Sequence, residues 1–74
     1  MALKLKKLTA PEQSAIDKLA RSRTAPAREV ERARLILLAA RGKRVPAIAQ
    51  ELARTEPTVR TWLKRFNAAG LDGL

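Results

Sequence analysis

Val45-Pro46-Ala47-Ile48-Ala49-Gln50-Glu51-Leu52-Ala53-Arg54-Thr55-Glu56-Pro57-Thr58-Val59-Arg60-Thr61-Trp62-Leu63-Lys64-Arg65-Phe66 is the stretch that decides how this chain folds. It holds two apolar periods, each opened by a proline. Pro46 and Pro57 fit the first turn of a helix, where the missing amide hydrogen costs nothing. Ile48, Ala49 and Leu52 recur three and four apart, so a short helix is predicted over about 46–53. A second begins at Thr55 or Glu56 and runs to about 69, with Val59, Trp62, Leu63 and Phe66 as its buried stripe. Gly70 ends it. A small residue at the crossing, Ala49, and a tight connection make the pair a helix-turn-helix. That unit places its second helix in the major groove of DNA.

At about 100° per residue, the face opposite Val59, Trp62 and Phe66 carries Pro57, Arg60, Thr61 and Lys64, flanked by Thr58 and Arg65. Arginine is the commonest reader of guanine, and threonine meets thymine methyls or phosphates. Thr58, Arg60, Thr61 and Lys64 are therefore the candidates for base reading. Lys43, Arg44, Arg54, Thr55 and Arg65 are the candidates for phosphate contact. A helical hairpin with solvated charges is the bland alternative. Glu56 can accept from cytosine N4, but stabilising the helix start and pairing with Arg60 is the simpler role. Trp62 and Phe66 can stack on single-stranded bases; their spacing with Val59 and Leu63 assigns them to the core.

Working outward, Thr24-Ala25-Pro26 opens a longer helix, predicted over about 25–41, with Gly42 beyond its end. Val30, Ala33, Ile36, Leu37 and Ala40 supply its apolar face. Glu29 with Arg32, and Glu31 with Arg34, are spaced to pair on its outer side. Thr9-Ala10-Pro11-Glu12 has the form of a capping box. The helix it starts is predicted over about 10–22, with Ile16, Leu19 and Ala20 inward. Residues 1–8 read as a basic arm or a short edge strand. Lys4, Lys6 and Lys7 can then enter the minor groove; a frayed basic tail, or a strand paired with another chain, are the other readings. Arg21, Arg23 and Arg28 surround the first interhelical turn; they can reach phosphate, but Asp17 is spaced to pair with Arg21 four residues on, and a surface role is the simpler reading. The last residues, 71–74, have no element of their own and read as a linker or tail.

A chain of 74 residues allows one domain with one small core. Sixteen Lys and Arg face seven Asp and Glu, a net charge of +9 that calls for a polyanionic partner. There is no cysteine and no histidine. The usual thiolate and imidazole metal ligands are thus missing, as is the commonest general base. The carboxylates are scattered and there is no glycine-rich phosphate loop, so no catalytic, metal, cofactor or small-molecule site is expected. No apolar run approaches the roughly 18 residues of a spanning helix. A cytoplasmic protein is expected, associated with the nucleoid when bound to DNA.

Several segments resemble a known family. They are Leu8-Thr9-Ala10-Pro11-Glu12, Ala20 through Arg28 (Ala-Arg-Ser-Arg-Thr-Ala-Pro-Ala-Arg), Glu31 through Ala40, Pro57 through Trp62, and Gly70-Leu71-Asp72-Gly73-Leu74. Together they look like the N-terminal region of bacterial mariner-like insertion-sequence transposases, the IS-six-thirty group. The resemblance implies an all-α, homeodomain-like helix-turn-helix over residues 9–70 that binds transposon terminal inverted repeats. In that family a linker and an acidic, magnesium-binding catalytic domain follow. This sequence stops where the linker would begin, so DNA binding without strand transfer is implied. A transcription regulator, a repressor of a full-length enzyme, or a basic interaction module that pairs with itself as a homodimer or with an acidic partner are the rivals. The family's turn usually has Gly followed by an apolar residue. Here Ala53 and Arg54 stand instead: a left-handed alanine costs about 1 kcal/mol, and Arg54 removes an apolar contact but can reach a phosphate, so the turn is either kept at that cost or reshaped.

Overall fold

In a computed structural model of the chain, residues 5–74 are described. Within them α1 spans Ala10–Ala20, α2 Ala27–Ala40, α3 Val45–Leu52 and α4 Glu56–Ala69, and a 3-10 turn follows over Gly70–Gly73. The architecture is all-α and homeodomain-like. α2 is central: it packs on α1 at one side and on α3 and α4 at the other. The radius of gyration, 11.2 Å, is what one compact body of this length requires.

The helix ends follow local chemistry. Thr9 closes a full capping box: its hydroxyl accepts the Glu12 amide at 3.3 Å, and the Glu12 carboxylate accepts the Thr9 amide at 3.0 Å. α2 starts later than Thr24-Ala25-Pro26 suggested. Pro26 is its N-cap and makes no side-chain bond. The Ser22 hydroxyl instead accepts the amides of Thr24 and Ala25, at 3.2 and 2.9 Å, and this holds the chain in a turn until Ala27. The same turn shortens α1 to Ala20. Past α2, Gly42 takes φ 89°, and the Lys43 amide reaches back to the Leu38 carbonyl at 3.1 Å. α3 closes in the same way with an alanine: Ala53 sits at φ 55°, ψ 43°, and the Arg54 amide bonds the Ala49 carbonyl at 2.8 Å. The turn is therefore kept rather than reshaped, with alanine at the left-handed position. α4 begins at Glu56, with Thr55 as its N-cap.

Ile16, Ala20, Ala33, Leu35, Ile36, Val45, Ile48, Ala49, Val59, Leu63 and Phe66 form the core. Five expectations need correction. Leu35 and Val45 are buried although neither was assigned inward. Ala40 is exposed and Val30 only half-buried. A single stripe on α2 cannot describe a helix covered on two sides, and that is why Leu35 was missed. Trp62 is half-buried rather than fully enclosed; it lies at the edge of the α4 stripe, where α2 covers only part of the ring.

Residues 5–8 form no strand, and Leu5 and Leu8 pack against the core. Leu74 does too, after the 3-10 turn, so the C-terminal residues run along the domain. Gly70 takes φ 63°, ψ −138°. That conformation strains any residue with a Cβ, and a Cβ there would also lie 2.7 Å from the Glu12 carboxylate and displace it, so glycine suits the close of α4 against the start of α1.

Candidate nucleic-acid interface

α4 is amphipathic in three dimensions as well as in sequence. Val59, Leu63 and Phe66 are at most 1% exposed, while Pro57, Thr58, Arg60, Thr61, Lys64 and Arg65 all stand in solvent. The six outer residues form one continuous face, because the buried stripe anchors the helix on α2 and α3 and leaves the opposite side without cover. The structure therefore brings together all four side chains assigned to base reading, with Arg65 beside them.

The groups on this face differ in how free they are. A guanidinium nitrogen of Arg60 lies 3.1 Å from the Glu56 carboxylate, one turn away. Both side chains are nearly half exposed, 47% and 44%, so the pair contributes about 0.3–0.5 kcal/mol and yields readily to a better acceptor. The Thr61 hydroxyl donates to the Pro57 carbonyl at 2.9 Å, which leaves its methyl as the group open to apolar contact. The hydroxyls of Thr55 and Thr58 lie 2.9 Å apart, and Thr55 accepts the Thr58 amide at 3.4 Å. Among the described residues Lys64 has no ion-pair partner.

Of the phosphate candidates, Lys43 and Arg44 are exposed immediately before α3. Arg65 leans on the Trp62 ring, its guanidinium carbon 4.8 Å from the centroid. Arg54 is bound already. Its guanidinium donates to both oxygens of Glu31 on α2, to Oε2 from Nη2 at 2.8 Å and to Oε1 from Nε. That contact holds the Glu31 carboxyl below its ordinary pKa, chiefly through the hydrogen bond, and raises Arg54. The pairing of Glu31 with Arg34 expected along α2 is replaced by this longer link. Nor does Arg32 turn to Glu29: its guanidinium carbon stacks 3.8 Å from the Trp62 centroid. Sequence periodicity carries no signal for either contact, since each joins α2 to residues more than 20 positions away.

The lysines of the expected arm separate. Lys4 lies outside the described residues. Lys7 is exposed. Lys6 is folded onto the domain: its ammonium meets Glu12 at 2.8 Å and lies 5.2 Å from the Phe66 ring centre, and its amide donates to the Asn67 side chain at 2.7 Å. The Lys6 hydrogen bond, followed by that of the Thr9 amide, lowers the Glu12 pKa. Three of the carboxylates, Glu12, Glu31 and Glu56, are thus spent on internal cations. Among the described residues no helix is long and apolar enough to cross a membrane.

A family model described as a homeodomain-like domain matches residues 26–74, which takes in α2, α3, α4 and the 3-10 turn. No curated protein and no solved structure matches the chain.

Proposed function

The chain belongs to the family of homeodomain-like domains, and from that premise we propose that it binds double-stranded DNA with α4 in the major groove. The observation that carries this reading is the uninterrupted outer face of α4, where three cations and two threonines stand opposite a fully buried stripe. Arg60 reads a base edge, Lys64 and Thr58 extend the reading along the groove, and the Thr61 methyl packs on a thymine methyl. Lys43, Arg44 and Arg65 hold phosphates and set the register, and Thr55 caps the helix end that points at the backbone. With a net charge of +9, a polyanion is the natural partner.

The resemblance of residues 8–74 to mariner-like transposases supports a narrower target, the terminal inverted repeats of a transposon. A salt series on duplex DNA tests the general reading. Four to six phosphate contacts give a log–log slope of about −4 to −5; a slope near zero, or no binding at low salt, overturns it. A footprint on a transposon end rather than on a promoter supports the narrower target, and the reverse result points to a regulator.

A further inference from the structure

We propose that the cleft between α2 and α4 is a second contact strip for the phosphodiester backbone of the same duplex, with Arg28 and Arg32 as its contacting residues. This rests on the DNA-binding reading and extends it to a helix outside the helix-turn-helix pair. One wall of the cleft is Arg28, Arg32 and Leu35 on α2; the other is Thr58 and Trp62 on α4, with Arg54 at the turn.

The charge count favours a polyanion. The cleft holds one carboxylate, Glu31, and Arg54 occupies both its oxygens. Neither Arg28 nor Arg32 forms an ion pair at contact distance among the described residues, although the charge of Arg32 adds to that of Arg54 in lowering the Glu31 pKa. Arg32 is also ordered for recognition. It lies on one Trp62 ring, against which Arg65 packs as well. Stacking fixes a guanidinium plane through its face and leaves the in-plane N–H donors for a phosphate.

Position favours the same duplex over a separate partner. Around α4, Thr58 and Arg65 stand between Thr61 on the outer face and Trp62 in the cleft. The cleft therefore opens where the reading face ends, and a backbone strand flanking the groove meets it next. The Glu31 link takes Arg54 away from phosphate, and α2 supplies the replacement cations.

Arg28→Ala and Arg32→Gln, measured with a labelled random-sequence duplex over a salt series, test the proposal. Each variant should reduce the magnitude of the log–log slope by about 0.9, the share of one phosphate contact. Base preference in competition with other duplexes should be retained. Arg34→Ala, also on α2 but facing away from this cleft, should leave the slope unchanged. In the unaltered chain, duplex should protect Trp62, the only tryptophan, from acrylamide quenching. Slopes unchanged in both cleft variants, or undiminished quenching, overturn the proposal. If Lys43→Ala and Arg60→Ala still weaken binding in that case, the reading of α4 survives and the cleft alone is wrong. Failure of the unaltered chain to bind at low salt removes both.

Discussion

The two ends of α4 use similar residues for opposite purposes. Over its first turns, Arg60, Thr61 and Lys64 stand in solvent, and the one ion pair among them is exposed and weak. At the other end, Lys6 is bound to Glu12 and placed over Phe66, its amide is tied to Asn67, and Gly70 fits against the same carboxylate. A lysine of the N-terminal segment closes the domain there, where α1, residues 5–8 and the end of α4 meet. The contrast teaches that a cation's role here depends on whether a carboxylate is packed within reach. Composition alone treats Lys6 and Lys64 alike.

The strongest test of this contrast is to break the shared support. Phe66 is fully buried under both regions. Phe66→Ala should cost about 3–5 kcal/mol, enough to unfold so small a domain, and circular dichroism with thermal melting would show it. Trp62→Ala should cost less, because that ring is half-exposed; an equal loss would mean the cleft is a second core.

Next in size come the two ends taken separately. Arg60→Ala should weaken binding to a preferred duplex by about 1–3 kcal/mol and relax preference at one base pair, with the melting temperature unchanged. Gly70→Ala should do the reverse. It should destabilise the fold by about 1–3 kcal/mol in denaturant titration, through strain at positive φ and collision with Glu12, and leave base preference intact. If Arg60→Ala melts early or Gly70→Ala shifts base preference, the division between a reading end and a closing end fails.

Smaller effects sharpen it. Ala53→Gly removes a left-handed alanine between α3 and α4, and should raise stability by up to about 1 kcal/mol. The pH dependence should be carried by the bound carboxylates. Glu12 and Glu31 have pKa values held below the ordinary 4.5. Their contribution is therefore complete above that value and is lost as pH falls through the lowered ones. Thermal stability should decline on the acid side of about pH 4.5, and Glu12→Gln should make that decline shallower. A decline of the same steepness in Glu12→Gln would show that the Lys6 contact contributes nothing.

Much of this was legible in the chain because helix signals are local. Thr9 and Glu12 form their capping box within one turn, and Val59, Leu63 and Phe66 repeat at helical spacing, so α1 and α4 could be placed from residue types alone. The outer face of α4 followed from the same period. Legibility ended where partners are distant. Leu35 was hidden because α2 is covered on two sides, and one period cannot describe two faces. Spacing pairs Arg32 with Glu29 because helical periodicity reveals only neighbours one turn away; the Trp62 ring arrives from another helix.

By itself, then, the order of residues determined the helical periods, the proline and threonine starts and the excess of positive charge. All of these depend on interactions within a few residues. Tertiary packing alone decided which cations remain open to a partner. It seated Lys6 on Glu12 and Arg54 on Glu31, and it set Arg32 against Trp62, because an ion pair or a stacked guanidinium exists only once separate helices have been brought within a few ångströms.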